Sequence, residues 1–254
     1  MGDFRYFIKL AFNGAAYHGW QVQKTGISVQ EILTKAISDL LKKGVALVGC
    51  GRTDTGVNAK VFYAHFDLGE EMTSESLQLL KFRLNRYLPS DIYIDDIYQV
   101  PPSLHARFSA ISRTYEYYIH NRKDPFLNDS SYFVYGSINI DLMNEGAELL
   151  KGYDDFTSFA RLHGNSKTNI CKISEVKWER IGHRVIFTIT ADRFLRNMVR
   201  SIVGTSLDLG MGRLTLEDFR RIIELRSRSF AGKSVPGFAL YLVNVCYPCK
   251  DGVS

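Results

Sequence analysis

Gly51-Arg52-Thr53-Asp54-Thr55-Gly56-Val57 is the stretch on which the reading of this chain turns. Two glycines bracket an Arg, an Asp and two threonines. An apolar run at residues 45–48 precedes it, and a strand-like segment at 61–66 follows it. By itself, Thr-Asp-Thr-Gly reads first as an ordinary turn, in which Asp bonds its own backbone and Gly accepts positive φ. A loop between two buried strands, with a cation two residues before a carboxylate, also suits the presentation of one ionised Asp to another molecule. Both readings stand on spacing alone.

Working outward, the flanking periodicities supply the fold. Residues 5–12, rich in aromatic and β-branched side chains, read as a strand. Ser28 and Glu31 form an S-x-x-E capping box. Val29, Ile32, Leu33, Ala36, Ile37, Leu40 and Leu41 then follow helical spacing, with Lys42-Lys43-Gly44 expected to close the helix by late cations and a C-cap glycine. After the loop come a strand to Leu68, a helix over 74–87 with Leu77, Leu80, Leu84 and Leu88 as its stripe, and a strand over 91–100. Strand, helix, strand, strand, helix, strand is the split unit of ferredoxin-like domains. Pro101-Pro102-Ser103 reads as a linker.

The pattern then broadly repeats. A strand is expected at 112–120, a helix capped by Asp141 and running to Leu150, and a hairpin of 172–179 with 184–191. A helix over 194–209, a short helix from Thr215 to Leu225 and a last strand at 239–247 complete the chain. The predicted fold class is α+β, in two architecturally similar ferredoxin-like or RRM-like halves, 1–104 with the loop and 105–254, without a short sequence repeat.

The 254 residues are 45% hydrophobic and 23% charged, which places the chain among folded proteins. No apolar run approaches the roughly 18–20 residues needed to cross a bilayer. The start, Met-Gly-Asp-Phe-Arg, has no apolar leader region. A soluble, cytoplasmic protein is the expectation, with Cys50, Cys171, Cys246 and Cys249 as reduced thiols. Cys246 and Cys249 make a lone C-x-x-C, half of the four ligands a structural zinc wants, so no metal is expected. The net charge is +5. Residues 192–233 hold nine basic and five acidic residues, a surplus of four that suits a polyanion such as nucleic acid. A solvated helix face of mixed charge is the alternative.

Several chemistries have no sequence support. There is no GxxxxGK[ST], no strand-linked GxGxxG and no G-x-S-x-G. The six histidines lack paired metal spacing. What remains is a lone carboxylate with basic and aromatic company: Asp54, Arg52 beside it, Tyr115 in a strand and Arg200 among Phe194, Leu195, Met198 and Val199. A nearby cation keeps a carboxylate ionised, and an aromatic can stack on a nucleobase. Taken singly, Tyr115 also suits a sheet and Arg200 a packed surface.

The loop Gly51–Val57 resembles the signature loop of the TruA-type tRNA pseudouridine synthases. Other segments resemble the same family in the same order: Tyr17-His18-Gly19-Trp20-Gln21, Ser28-Val29-Gln30-Glu31, Leu84-Asn85 with Leu88-Pro89, and His105-Ala106-Arg107-Phe108-Ser109-Ala110. Asp155-Phe156-Thr157-Ser158-Phe159, Phe194-Leu195-Arg196-Asn197-Met198-Val199-Arg200, and Ala231-Gly232 with Leu240-Tyr241-Leu242 follow. Seven motifs in order span nearly the whole chain.

The resemblance implies two α+β halves forming one mostly antiparallel sheet with helices packed on it and a central cleft. It implies a homodimer that isomerises uridine to pseudouridine at positions 38, 39 and 40 of the tRNA anticodon arm, with no cofactor and no metal. Position by position, Asp54 resembles the catalytic nucleophile and Arg52 the residue that helps evict the target base. Tyr115 resembles the aromatic that packs on the flipped uracil, and Arg200 the partner of the catalytic carboxylate. The chain departs from the family at Asn58, where His is usual, at Val61-Phe62, where Gly-Gln is common, and at Lys233 and Gly237. These departures bear on target-site range more than on the reaction itself. Two other classes stay open: a non-catalytic or narrowed-specificity paralogue that binds structured RNA, and an RRM-like binding module, for which the RNP1 pattern is missing.

Overall fold

The computed structural model describes residues 4–161 and 168–248. The chain divides into two compact units, Met1–Ile111 with Leu242–Ser254, and Ser112–Tyr241.

In the first unit the elements are β1 (Phe4–Phe12), α1 (Val29–Leu41), β2 (Val48–Gly49), β3 (Asn58–Leu68), α2 (Ser74–Tyr87) and β4 (Ile92–Val100). β1 lies antiparallel between β3 and β4, and β2 pairs antiparallel with β3. This is the expected split arrangement. Tyr6, Ile8, Leu10 and Phe12 alternate along β1 and are buried, as the period of two along a strand requires. Phe7 points to the opposite face, where its ring meets Tyr63, Tyr98 and Tyr247 at 5.3–6.2 Å between centroids. Both faces of β1 are therefore covered.

α1 begins as expected, with the Ser28 hydroxyl accepting from Glu31 N. It ends differently. The left-handed C-cap is Lys42 (φ +53), and Gly44 is not a positive-φ residue. Ser38 explains the early stop. Its carbonyl accepts from the backbone N–H groups of both Lys42 and Lys43, and its hydroxyl from that of Val45. The chain has turned out of the helix before the glycine is reached. The apolar run at 45–48 contributes only Val48 to a strand, the two-residue β2.

The second unit contains β5 (Ser112–His120), β6 (Tyr132–Phe133), α3 (Ile140–Leu150), β7 (Ile173–Ile181), β8 (Arg184–Ala191), α4 (Met198–Gly210) and α5 (Leu216–Glu224). The last strand, β9 (Leu240–Cys246), begins in this unit's range and ends in the other's. β8 is antiparallel to both β5 and β7, while the short β6 is parallel to β5. Ile181 pairs with Arg184, so the hairpin turns on Gly182-His183 with Gly182 at φ +62, the left-handed geometry such two-residue loops demand. The architecture is α+β, a mostly antiparallel sheet with helices packed on it.

Two helix starts in this unit differ from expectation. The cap of α3 is Asn139, whose side chain accepts from Leu142 N. Asp141 lies inside the first turn, where a carboxylate favours the helix dipole. The helix predicted over 194–209 begins at Met198, because Asn197 adopts φ +66 and breaks the helical path. Phe194 and Leu195 precede it as irregular chain. The apolar side of the helix is nonetheless buried, including Met198, Ile202, Val203 and Leu207. α5 carries a reciprocal capping box between Thr215 and Asp218. No helix among the described residues is long and apolar enough to cross a membrane.

Candidate active site

Asp54 sits on the loop between β2 and β3, half-buried, with Arg52 exposed beside it. The turn reading of this loop is correct. Val57 N donates to the Asp54 carbonyl at 3.2 Å, and Gly56 takes φ +76 at the third position, as a type II turn requires. The loop is also fastened from outside by the segment Tyr17–Trp20. The Thr53 hydroxyl, buried, accepts from Trp20 N at 3.0 Å, and Gly56 N donates to the Tyr17 carbonyl at 3.3 Å. Gly19 (φ +88) packs so tightly that a Cβ there would lie 2.2 Å from the Thr53 carbonyl oxygen. Only glycine fits both conditions.

The fastening segment is itself anchored. The Tyr17 hydroxyl donates to Asp91 at 2.6 Å, and burial, reinforced by that carboxylate, pushes its pKa up. The Trp20 ring stacks on Phe62 at 4.2 Å, and Gly49 leaves room for the indole. Asn58 Oδ1 accepts from Gly14 N at 2.8 Å, inside the protein. Asn58 and Phe62, two of the departures from the family pattern, are thus buried residues that hold the loop's surroundings.

In the second unit, Tyr115 is half-buried on β5 and meets the edge of Phe194 at 5.1 Å. Tyr117, two residues on and on the same face, is buried and donates its hydroxyl to the Pro236 carbonyl at 2.9 Å. Burial raises the Tyr117 pKa, with Arg200 acting in the opposite direction. Arg200 is tied to the same segment: its Nε donates to the Val235 carbonyl at 2.7 Å, and Val235 N donates to the Arg200 carbonyl at 3.2 Å. Asn197 Nδ2 donates to Ser234 Oγ at 2.6 Å. Gly204 lets this segment lie on α4, since a Cβ there would meet the Lys233 carbonyl oxygen at 1.9 Å. One stretch, Ser234–Pro236, therefore joins the start of α4 to β5, the two elements that carry Arg200 and Tyr115. Arg52 and Asp54 share a loop of the first unit.

The basic stretch 192–233 is partly neutralised. Arg213 pairs with Asp208 at 3.0 Å, Arg226 with Asp155 at 3.2 Å and Arg220 with Glu217 at 3.7 Å. Arg228 donates to the Ala231 carbonyl and to Ser234 Oγ. Arg196, Arg221 and Lys233 are exposed. Among the described residues, Cys50, Cys171 and Cys246 are not joined in a disulfide, and Cys249 lies outside them. Among the described residues, no three His, Cys, Asp or Glu side chains gather as a metal set.

Sequence reasoning singled out Asp54, Arg52, Tyr115 and Arg200, quoted Thr53, Gly19, Trp20 and Asn197 only as motif members without their fastening role, and missed Gly204. The visible signals were glycines inside otherwise regular patterns, Gly204 in a helix above all.

Residues 147–248 match the family profile described as tRNA pseudouridine synthase. Three curated relatives carry the name tRNA pseudouridine synthase A. That of Bacteroides thetaiotaomicron is 51% identical over 96% of this chain and 91% of its own. That of Bacteroides fragilis is 50% identical over 96% of each chain. A more distant one, from Clostridium acetobutylicum, is 38% identical over 94% of this chain and 98% of its own. Identity at this level over nearly full length, on an α+β fold with the signature loop in place, shows that the chain belongs to the TruA-type tRNA pseudouridine synthase family.

Proposed function

We propose that this protein isomerises uridine to pseudouridine at positions 38, 39 and/or 40 of the tRNA anticodon stem-loop, in the cytoplasm, as a homodimer and without a cofactor. The reaction breaks the N1–C1′ bond, turns the uracil and joins C5 to C1′. C5 gives up a proton and N1 takes one, so nothing is oxidised or reduced.

The target uridine is first flipped out of its stack, at a cost of about a few kcal/mol. Arg52 occupies the vacated space and Tyr115 packs on the extruded base, which together offset that cost. Asp54 is the nucleophile. Its carboxylate either attacks covalently or stabilises cationic character at the sugar. Arg200 is the cationic partner of the catalytic carboxylate. Exposed cations of 192–233, such as Arg196 and Lys233, contact phosphates and position the arm.

The observation that carries this reading is the fastening of the Asp54 loop. Thr53, Gly56 and Gly19 lock the loop on both sides of the carboxylate, the preorganisation that a positioned reactive group needs. The alternative of a narrowed or non-catalytic paralogue draws on the departures at Asn58 and Phe62. Packing accounts for both, since both are buried and engaged inside the fold.

The test is to incubate the protein with an unmodified tRNA transcript and map pseudouridine by chemical probing. Product at positions 38–40 is expected. tRNA binding without product would favour the non-catalytic alternative.

A further inference from the structure

A cavity of about 210 Å³ opens beside the Asp54 loop, and two arginines line it: Arg52 from the loop and Arg107 from the chain after β4. Its other walls include Trp20, Gln21, Gln30 and Gly51, and no carboxylate is among its lining residues. The Gln30 amide is occupied in holding the Val22 and Leu47 backbone. The volume is below the roughly 300–1,000 Å³ of drug-sized ligand sites. It suits a compact anionic group, which the two guanidinium groups on its wall would attract.

Arg107 stands on a turn that is fixed with unusual completeness. His105 Nδ1 accepts from both Arg107 N and Phe108 N, at 3.0 and 3.2 Å. His65 Nδ1 accepts from Ala106 N at 3.1 Å, and the Tyr247 hydroxyl donates to the Ala106 carbonyl at 2.6 Å. His105 N and Ser109 Oγ close the turn at 2.9 Å. The Arg107 guanidinium carbon lies 5.6 Å from the centre of the Phe108 ring, which is itself 77% exposed. An exposed arginine on a backbone held this firmly, steadied by an aromatic face, is built to present charge at a fixed place.

We propose that the Arg52–Arg107 cavity is a phosphate-binding subsite that grips the RNA backbone next to the nucleotide being modified, with Arg107 as a positioning residue. It rests on the proposed function and extends it. The phosphate bridges the two guanidinium groups and so places Arg52 beside Asp54, ready to enter the space that the base vacates. Planar guanidinium pairs suit phosphate oxygens because they donate in a fixed fork.

The experiment measures binding of an unmodified tRNA transcript to full-length Arg107→Gln and Arg107→Lys across a salt series. For Arg107→Gln, Kd should rise roughly tenfold and the dependence of log Kd on log salt should flatten by about one phosphate contact. Arg107→Lys should restore the salt slope and only part of the affinity. The single-turnover rate at saturating tRNA should also fall in Arg107→Gln and recover in part in Arg107→Lys, because Arg52 is no longer held beside Asp54. In a second arm, single neutral methylphosphonates replace phosphates of an anticodon stem-loop RNA, one at a time. One replacement beside the target nucleotide should weaken binding to wild type and leave Arg107→Gln unaffected. An unchanged Kd and salt slope in Arg107→Gln, with wild-type thermal melting, overturns the subsite. So does an equal loss in both proteins for every methylphosphonate. Failure of the proposed function looks different: wild type would bind tRNA and form no pseudouridine, while the binding arms still report on the subsite.

Discussion

The loop that carries Asp54 and the helix that carries Arg200 are held in opposite ways. The loop is a surface turn, fixed by a handful of backbone hydrogen bonds and one buried hydroxyl, Thr53 Oγ1. α4 is buried on almost every side, with Ser201, Ile202, Val203, Gly204 and Thr205 all inside. A surface turn can be displaced without unfolding what surrounds it, whereas a helix surrounded by core cannot. Damage beneath Asp54 should therefore appear as lost turnover, and damage beneath Arg200 as lost stability.

Matched glycine substitutions are the strongest way to break that contrast. Gly204→Ala puts a methyl where the Lys233 carbonyl oxygen already lies 1.9 Å away. A loss of about 3 kcal/mol is expected by urea unfolding, since overpacking a rigid interior is costly. Gly19→Ala forces φ +88 on an alanine and crowds the Thr53 carbonyl. It should cost about 2 kcal/mol, and its turnover should fall well beyond what the unfolded fraction explains. Equal losses of stability and of activity in both proteins would erase the distinction.

A pH effect of about 2 kcal/mol should come from His65 on β3, which accepts a hydrogen bond from the turn that carries Arg107. Burial, then Arg5 and His105, pull the His65 pKa from 6.5 down to about 4. The unfolded chain therefore takes up a proton that the folded protein refuses. Stability is full above pH ~6.5 and falls as the pH drops from 6.5 to about 4. Comparing pH 7 with pH 5, the loss should be about 2 kcal/mol larger for wild type than for His65→Asn. The asparagine can still accept from Ala106 N. Parallel pH profiles for the two proteins would contradict the buried neutral imidazole.

Thr53→Val is the mildest change and the most specific. It keeps the shape and removes the acceptor for Trp20 N. Leaving that buried N–H unpaired should cost about 1–2 kcal/mol. The single-turnover rate should drop while the tRNA Kd holds. A changed Kd with an unchanged rate would reassign Thr53 from positioning the loop to shaping the RNA surface.

The elements legible in the sequence were those whose order local chemistry sets. The aromatic and β-branched run of β1, the leucine stripe of α2 and the Thr215 cap of α5 could all be read residue by residue. What stayed hidden depends on partners far away in the chain. Ser38 ends α1 early by capturing three donors, which composition does not reveal beside an inviting Gly44. Asn197 breaks the 194–209 pattern because its amide binds Ser234, 37 residues on. Asp54 and Arg52 stood out because they carry charge in an otherwise small-residue loop. Gly19 and Trp20 were visible as a motif, but their contacts with the loop required tertiary structure. The charge surplus of 192–233 overstated the free cationic surface, since Arg213, Arg220 and Arg226 have acidic partners.

The most direct measurement compares wild type with Asp54→Asn in single-turnover reactions on an unmodified tRNA transcript, alongside tRNA binding. The exchange keeps size and removes the charge. With Asp54 as the nucleophile, pseudouridine formation should fall by more than about 10⁴-fold while the Kd for tRNA stays close to wild type. An Asp54→Asn protein that converts tRNA at a rate near wild type would contradict the assignment outright.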